Sequence, residues 1–461
     1  MAQYTPPGVS FVEIIGADLS STSTGFNTTA VIGLGRTWYQ VSDIEIVKGA
    51  EDTDKILLSD GSESVKGDIL SVDGVGTIPG FYNFQKDVDY SIDEDNTTIT
   101  WLSDKKPTQN TTFYIKYKRN KKSSDYVAMR LYSKDNVSNA FGPELSEGVI
   151  NTLTLGANLV LEGAGQSAGG VVCVQVEGDP SLEANWRAAI DKLDKWDVQT
   201  VILLKQDSMD LRNYLIQKVN ELSTSLFAKE RTTFITPNDK ELTADLLAAQ
   251  REGLMNDRVT YFANKSVTIT LTDDATLEDK EIEMDAIYAC ANLSGIEGNP
   301  EYTFSEPMLR KQLSYRITLN QEQQYNPLER NNLCSNYLSM FEFDENTGLT
   351  NVFDIFTTDS TNVVTETRSV RRVTDLLRKN IRKQLDKRYI GQKALDTTAE
   401  SAVATTSSIL RNFVSSGEIG AYKDVSGAYN SSNPKQLDIT FSYRPIFEIK
   451  WIKVTLSTYT A

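Results

Sequence analysis

Apolar and polar positions follow two alternating periods through the middle of the chain, from about residue 151 to residue 293. Short β-branched runs are each followed by a stretch of about a dozen residues whose apolar positions have helical spacing. This alternation is typical of a parallel or mixed sheet that is covered by helices. The predicted strands are VVCVQV (171–176), TVILL (200–204), TTFIT (232–236) and VTYFAN (259–264), and the predicted helices span 182–193, 209–222, 241–254 and 282–293.

A β-rich pattern precedes this core, between residues 36 and 122. Short strands such as DIEIV (43–47), TTITWL (97–102) and TFYIKYK (112–118) are separated by Asp-Gly and Pro-Gly turn signals, and no long helical period is visible there. We therefore predict a small all-β domain that is inserted early in the chain.

The last third of the chain is predicted to contain two long helices, 368–389 and 397–414, followed by two strands that Arg444-Pro445 separates. Proline cannot donate a hydrogen bond to a strand ladder and holds its neighbour extended, so the final strand, from residue 446 onward, is predicted to be a separate arm. The stretch YTPPGVSFVEII (4–15) is a similar proline-led strand near the other end.

Together these patterns predict a mixed α/β (α+β) fold with a core sheet, covering helices, an inserted β-rich domain and extended strand arms at both ends. The predicted divisions are an N-terminal arm (1–35), the β-rich domain (36–122), the α/β core (123–350) and a C-terminal domain (351–461).

Charge and residue content narrow the function classes. The 461 residues include 47 Lys and Arg against 63 Asp and Glu, a formal net charge of −16. An acidic surface repels phosphates and anionic lipids, so we expect neither nucleic acid nor a membrane as a partner. No window approaches the roughly 18–20 apolar residues that a membrane-spanning helix needs, and we expect no membrane insertion.

The chain has no histidine and only three cysteines, Cys173, Cys290 and Cys334, which lie far apart. Without histidine there is no Ser-His-Asp or Cys-His catalysis and no histidine-ligated metal. The cysteine spacing fits neither a disulfide framework nor a zinc site. We therefore expect no catalytic site, no metal site and no cofactor, which argues against an enzyme.

The segment GAGQSA (163–168) matches the GxGxxA form of a dinucleotide-binding fingerprint and follows a predicted strand, 158–162. A functional fingerprint needs a helix immediately afterwards, because the helix N-terminus binds the pyrophosphate. Here AGG and another predicted strand follow instead. The segment is therefore interpreted as a flexible turn.

The helix 368–389 is predicted to be amphipathic with a basic face. At about 100° per residue, its basic side chains fall within an arc of roughly 140°, and its apolar side chains lie opposite. Two interpretations stay open: a solvated face, or a docking surface for an acidic partner. The basic residues are Arg368, Arg371, Arg372, Arg378, Lys379, Arg382 and Lys383.

Several stretches, taken in order, resemble the contractile tail sheath proteins of bacteriophages, which are related to the sheaths of R-type bacteriocins and contractile injection systems. The resemblance is strongest over roughly 1–35 and 350–461. The stretches are PPGVSFVE (6–13), DVDYSI with TITW (87–101), LYSKDNVSNAFGPE (131–144), LVLEGAG with VVCVQV (159–176), the helical block 374–422 and RPIFEIKWIKVTLST (444–458).

The resemblance implies a non-enzymatic structural protein of a virion, assembled in the bacterial cytoplasm. Subunits would form stacked hexameric rings in a helical array around a tail tube protein, with baseplate and tail terminator proteins at the ends. Contraction would drive the tube through the host cell envelope. The β-rich segment would be a peripheral domain, and both chain ends would belong to an inner domain nearest the tube.

In this interpretation each subunit lends its terminal strands to sheets in neighbouring copies, which is β-augmentation. Arg444 and Pro445 are then the hinge of the C-terminal arm, and the basic face of helix 368–389 is the candidate tube-facing surface. The predicted interface residues of the arms are Val9, Phe11, Val12, Ile14, Ile449, Trp451, Ile452, Val454 and Leu456.

Two alternatives stay open. A cytoplasmic α/β enzyme with a β-rich insert would form a monomer or a closed oligomer and would tolerate clipping at both termini. A sheath-like cap or terminator protein would share the inner domain but would not form long tubes.

Overall fold

The computed structural model describes residues 28–56, 69–76, 81–93, 98–165, 169–450 and 452–454, and these residues form two units. The core unit comprises the described residues of 1–34, 128–134 and 144–461, and the β-rich unit comprises those of 35–127 and 135–143. None of the helices in these described ranges is both long and apolar enough to cross a lipid bilayer.

Strands and helices are both well represented in these described residues, and the predicted mixed α/β class is confirmed. The strands are β1 (Thr29–Gly33), β2 (Trp38–Val47), β3 (Thr53–Lys55), β4 (Ile69–Val75), β5 (Phe81–Phe84), β6 (Tyr90–Ile92), β7 (Thr98–Trp101), β8 (Thr112–Asn120), β9 (Met129–Leu131), β10 (Leu145–Ser146), β11 (Val149–Ile150), β12 (Val171–Gln175), β13 (Thr200–Leu203), β14 (Thr232–Ile235), β15 (Val259–Tyr261), β16 (Ser266–Thr272), β17 (Asp279–Asp285), β18 (Ile317–Thr318), β19 (Met340–Asp344), β20 (Leu349–Asp354), β21 (Ala421–Tyr429) and β22 (Leu437–Arg444). The helices are α1 (Lys134–Phe141), α2 (Thr152–Ala164), α3 (Glu183–Asp191), α4 (Met209–Leu222), α5 (Ala244–Glu252), α6 (Ile287–Gly298), α7 (Pro327–Ser335), α8 (Val363–Glu366), α9 (Arg368–Tyr389) and α10 (Asp396–Ser415).

The centre of the core unit is a six-stranded sheet in the order β15-β14-β13-β1-β12-β9. All neighbouring pairs are parallel except β12 and β9, which are antiparallel. Strand β1 (TAVIG) is buried at all five positions and lies between β13 and β12. A strand that is covered on both faces needs apolar residues at consecutive positions, and TAVIG has them.

The two faces of this sheet are covered by different helices. Ala30 and Ile32 belong to a cluster with Trp186 of α3 and Leu211 of α4. On the other face, α2 packs along β1 and β12 and lies against α6. Helices α2 and α6 are buried over nearly their whole length.

Contact between α2 and α6 depends on two glycines that let their backbones approach. A Cβ added at Gly295 would lie 2.0 Å from the carbonyl oxygen of Val160, and one added at Gly163 would lie 2.2 Å from that of Asn292. Real Cβ atoms do not approach backbone oxygens so closely, so both positions require glycine for steric reasons.

Three sequence predictions in this unit are wrong. Residues 29–33, which were assigned to the N-terminal arm, form the central strand of the core sheet. Residues 158–162 are helical, within α2, and residues 282–285 belong to β17 rather than to a helix. A helix that is buried all round has no polar face, so its apolar run does not show the helical period.

The GAGQSA segment is correspondingly different from a nucleotide-binding turn. Its first two residues, Gly163 and Ala164, are the end of α2, and strand β12 follows it, which is the reverse of the order that the fingerprint requires. Helix α2 ends at Gly165, whose φ of +72° suits glycine. Residues 166–168 lie outside the described residues.

The β-rich unit contains a four-stranded sheet, β2-β8-β4-β5, a three-stranded sheet, β3-β7-β6, and all but the first residue of helix α1. Its core is aromatic, with Trp101 edge-on to both Phe84 and Phe113 at centroid distances of 5.1 and 5.2 Å. A buried ion pair joins Lys48 to Asp54 at 3.1 Å, and the indole N–H of Trp101 donates to the same carboxylate at 2.7 Å.

The division at residue 350 is not seen as a boundary between units, because the described residues of 144–350 and 351–450 belong to one unit. Helix α9 is the reason, since its first half packs against elements of the core and its second half packs against α10 and the hairpin β21–β22.

Candidate functional site: the C-terminal helices and strands

Helix α9 connects the core sheet to the C-terminal elements. Its 22 residues contain no glycine or proline, and it is followed by Gly391 at φ +88°. Residues 368–377 are buried without interruption, whereas only Ile381 and Leu385 are buried farther along. The helix is therefore inserted into the protein at its N-terminal half rather than lying on the surface.

Arg368 forms a bidentate ion pair with Glu297 of α6. The Nε–Oε1 distance is 2.7 Å and the Nη2–Oε2 distance is 2.9 Å, and both side chains are buried. The guanidinium also lies 3.8 Å above the ring of Phe234. Burial on its own would raise the pKa of Glu297, but Arg368 and Arg372 more than offset burial and hold the pKa below its ordinary value.

Asp375 accepts a second set of charged hydrogen bonds. Arg258, just before β15, donates to both of its oxygens at 2.7 and 3.0 Å, and Arg371 donates at 2.7 Å. Arg371 also bonds Asp257 at 2.7 Å. Burial opposes ionisation of Asp375, yet the two arginines outweigh burial and place its pKa far below the ordinary range.

The second half of α9 also pairs with acidic groups of the same chain. Lys379 Nζ lies 2.5 Å from a carboxylate oxygen of Asp197, and Arg382 Nη2 lies 2.5 Å from Glu230, whose side chain is 1% exposed. Arg378 is half-buried and Lys383 is exposed.

The predicted exposed basic face is therefore wrong for Arg368, Arg371 and Arg372, which are buried, and Lys379 and Arg382 are partnered within the chain. Sequence periodicity correctly separates the basic side from the apolar side, but it does not show that acidic residues elsewhere in the chain cover the basic side. Glu297, a lone carboxylate in an apolar helix, is the signal that could have indicated a buried cationic partner.

Helix α10 and the hairpin β21–β22 pack against the apolar side of α9. Residues Leu376, Ile381 and Leu385 of α9 form one cluster with Leu410 and Phe413 of α10. Half-buried hairpin side chains complete it: Tyr422, Val425, Leu437, Ile439, Phe441 and Tyr443. Within the described residues, β21 and β22 pair with each other alone, so each strand has a free outer edge.

The chain leaves this hairpin at Arg444, the last residue of β22, and Pro445 follows. No helix or strand is assigned to the described residues beyond it. Three predicted arm residues are highly exposed here: Ile449 at 78%, Ile452 at 81% and Val454 at 82%. The remaining predicted arm residues, Val9, Phe11, Val12, Ile14, Trp451 and Leu456, lie outside the described residues.

Glu448 and Lys450, which alternate with the exposed Phe447 and Ile449, are held against the chain's own core. Lys450 Nζ lies 2.6 Å from Asp354 and 3.7 Å from Glu448, and 3.7 Å from the ring centroid of Phe356. Over residues 447–450, the two polar side chains are therefore held, whereas the two apolar side chains are exposed.

No protein-family model matches the chain, and no curated protein does. Several solved structures do match the chain. The contracted helical sheath of the anti-feeding prophage matches with a TM-score of 0.57 at 12% identity, over 73% of this chain and 90% of that one. The six-fold symmetrised baseplate structure of the same particle matches with a TM-score of 0.56 at 12% identity, over 74% and 90%.

A crystal structure of a sheath tail protein from Listeria innocua matches over almost the full length of both proteins. The TM-score is 0.51 at 9% identity, with 93% of this chain and 94% of that chain covered. TM-scores of 0.51–0.57 at identities of 9–12% show a likeness of fold alone. The structural neighbours of this chain are contractile sheath proteins, and it has their fold.

Proposed function

We propose that this protein is the structural subunit of a contractile tail sheath. It polymerises as stacked hexameric rings in a helical array around a tail tube, and it contracts to drive the tube through a host cell envelope. The observation that carries the proposal is the C-terminal segment, whose Ile449, Ile452 and Val454 are about four-fifths exposed in a chain with the sheath fold.

Exposure of these side chains is unfavourable in a separate subunit. Burying a side chain such as isoleucine contributes about 1.5–3 kcal/mol, so the three together would supply several kcal/mol to an interface. An extended segment that enters a sheet of another copy also gains main-chain hydrogen bonds. The free edges of β21 and β22 are the proposed acceptors of terminal strands from neighbouring copies.

Donation of a strand to a neighbour is a head-to-tail contact, because donor and acceptor are different surfaces. Such contacts propagate as helices unless the rotation closes a ring. The anti-feeding prophage structures are a helical sheath and a six-fold symmetrised baseplate, and they support stacked rings of six for this chain.

Contraction follows from a metastable extended state held by a kinetic barrier. When a baseplate triggers the change, rigid subunit bodies reorient while the strand connections persist about the hinge at Arg444 and Pro445. The partners are other copies of this chain, a tail tube protein, and baseplate and terminator proteins. The site of action is the tail of a virion that is assembled in the bacterial cytoplasm, and no catalytic step is involved.

Electron microscopy of the purified chain at high concentration tests this function. Long hollow cylinders are expected. Removal of residues 1–20 or 446–461 should leave a folded subunit that forms no cylinders. Discrete closed rings from the intact chain would favour a cap or terminator protein, and a monomer that tolerates both truncations would favour the enzyme alternative; either result would overturn the sheath proposal.

A further inference from the structure

We propose that Lys450 holds the root of the C-terminal arm, residues 446–450, against the chain's own core. This contact, which we call the latch, directs the arm into a neighbouring copy. The inference rests on the proposed sheath function, and it assigns a positioning role to the contact of Lys450 with Asp354, Glu448 and Phe356.

The latch is a compact cation site at the end of β20. Lys450 Nζ contacts a carboxylate oxygen of Asp354 at 2.6 Å and lies 3.7 Å from the ring centroid of Phe356. Glu448 adds a second carboxylate at 3.7 Å. The Lys450, Asp354 and Glu448 side chains are 14%, 15% and 8% exposed, so solvent screens the pair less than it would a surface ion pair.

Side chains alternate between the two sides of an extended segment, and here the alternation separates two roles. Glu448 and Lys450 face the core, whereas Phe447 is 40% exposed and Ile449 is 78% exposed. Holding the polar side therefore presents the apolar side outward, in a fixed direction, before any neighbour is bound.

The latch is needed because the outer edge of β22, in the same chain, competes with the neighbouring copy for the arm. Strand β22 ends at Arg444, only a few residues before the arm, and no other strand of the described ranges pairs with its outer edge. A short tether gives an effective concentration in the millimolar range. Folding back onto β22 would therefore compete strongly with a neighbour at micromolar concentration, unless the arm is held away from that edge.

Lys450 is the cation that contacts both carboxylates of the latch. A third carboxylate, Glu366 at the end of α8, lies in the same electrostatic environment: burial, Glu448 and Asp354 raise its pKa, and Lys450 and the more weakly acting Arg251 oppose them. Without Lys450, Glu448 on the arm would face Asp354 and Glu366 on the core as like charges. Loss of the cation should therefore repel the arm root as well as release it.

Lys450→Gln tests the latch, and Lys453→Gln is the matched control, because Lys453 is an exposed lysine on the same segment. We expect Lys450→Gln to raise the critical concentration for cylinder formation about tenfold or more, equivalent to about 1.4 kcal/mol. Cleavage of the unassembled chain by chymotrypsin after Phe447 should become faster, because the segment is no longer held against the core. Lys453→Gln should change neither measurement by more than about twofold.

Three further variants separate positioning from general damage. Asp354→Asn removes the core side of the same contact and should reproduce the loss, while Lys450→Arg should retain assembly. Lys450→Gln combined with Glu448→Gln should recover part of the loss, because it removes the repulsion. All variants should unfold at the wild-type temperature.

Wild-type cleavage rates and assembly in Lys450→Gln would overturn the latch. If the wild-type chain itself forms no cylinders, the sheath function fails instead. The cleavage measurement on the unassembled chain then still decides whether the latch exists.

Discussion

Arg368 and Glu297 form a buried, bidentate ion pair that joins helix α9 to helix α6, 71 positions earlier in the sequence. The pair places a strong cation and its counter-ion beneath the core sheet, next to the ring of Phe234. Helix α9 also carries the contacts to α10 and to the hairpin that precedes the arm. The pair therefore attaches helix α9 to the core, and through α9 it also attaches the hairpin that precedes the C-terminal arm.

Glu297→Gln should destabilise the protein by about 3–5 kcal/mol, because it leaves Arg368 and Arg372 buried without their counter-ion. Unfolding in urea measures the change, with the exposed Glu301→Gln as the control. The double variant Arg368→Met with Glu297→Leu should lose less than Glu297→Gln, since it removes both charges. A loss below about 1 kcal/mol for Glu297→Gln would contradict the role given to this pair.

Arg382→Gln should lower the stability of the separate subunit by about 2–4 kcal/mol, because Glu230 is buried and would lose its charged partner. The neighbouring Lys383→Gln makes the same charge change at an exposed position and should be within about 0.5 kcal/mol of wild type. Thermal unfolding of both variants distinguishes them. If both variants changed the stability equally and only slightly, Arg382 would again be a candidate docking residue.

Gly295→Ala should destabilise the protein by about 3 kcal/mol or more, because its Cβ would meet the carbonyl oxygen of Val160 at 2.0 Å and force α2 and α6 apart. Gly253→Ala is the matched control: that glycine has φ −68° at the end of α5, and its added Cβ would meet an ordinary contact at 3.5 Å. The control should be neutral or slightly stabilising. Chemical unfolding measures both, and a stable Gly295→Ala protein would refute the close helix contact.

Asp285 should make the stability depend on pH. Burial raises its pKa to about 6, although Thr236 Oγ1 and the Ile287 N–H donate to its carboxylate. An aspartate with a raised folded pKa contributes stability that is present below its unfolded pKa of about 3.9 and is lost as the pH rises through about 6. The loss amounts to up to about 3 kcal/mol, at 1.36 kcal/mol per pH unit.

Asp285→Asn keeps an acceptor oxygen but does not titrate. Its free energy of unfolding relative to wild type should therefore rise by up to about 3 kcal/mol between pH 4 and pH 7. Urea unfolding across this range checks the slope, with the exposed Asp274→Asn as the control. A difference that stays constant with pH would show that the carboxyl group is not buried as described.

Local patterns predicted much of the secondary structure. The bounds of α4 and α9 agree with the sequence prediction, and β12 to β15 lie within the predicted strands. These elements have one apolar face or a short β-branched run between turns, and such signals are contained in a few consecutive residues. Helix α2 and strand β1 were misassigned because elements buried on all sides have no polar face to give a period.

For a related reason, the sequence predicted the exposed part of the candidate site but not the contact that holds it. Exposure of Ile449, Ile452 and Val454 agrees with a segment set off by Pro445, since a proline acts on its immediate neighbours, although the described residues after Pro445 form no strand. The latch at Lys450 was not predicted, because Asp354 lies 96 positions away and nothing in the local pattern links the two.

The sequence by itself determined the acidic charge, the absence of histidine, the alternating core pattern and the proline-led apolar segments near both ends, because each is a property of composition or of neighbouring residues. Only the tertiary structure decided which charges are buried and paired. The basic side of α9 is the clearest case: its arrangement is local, but Glu297, Asp257 and Glu230 reach it from distant parts of the chain. Whether a charged face meets solvent, a partner or the protein's own interior depends on those long-range contacts.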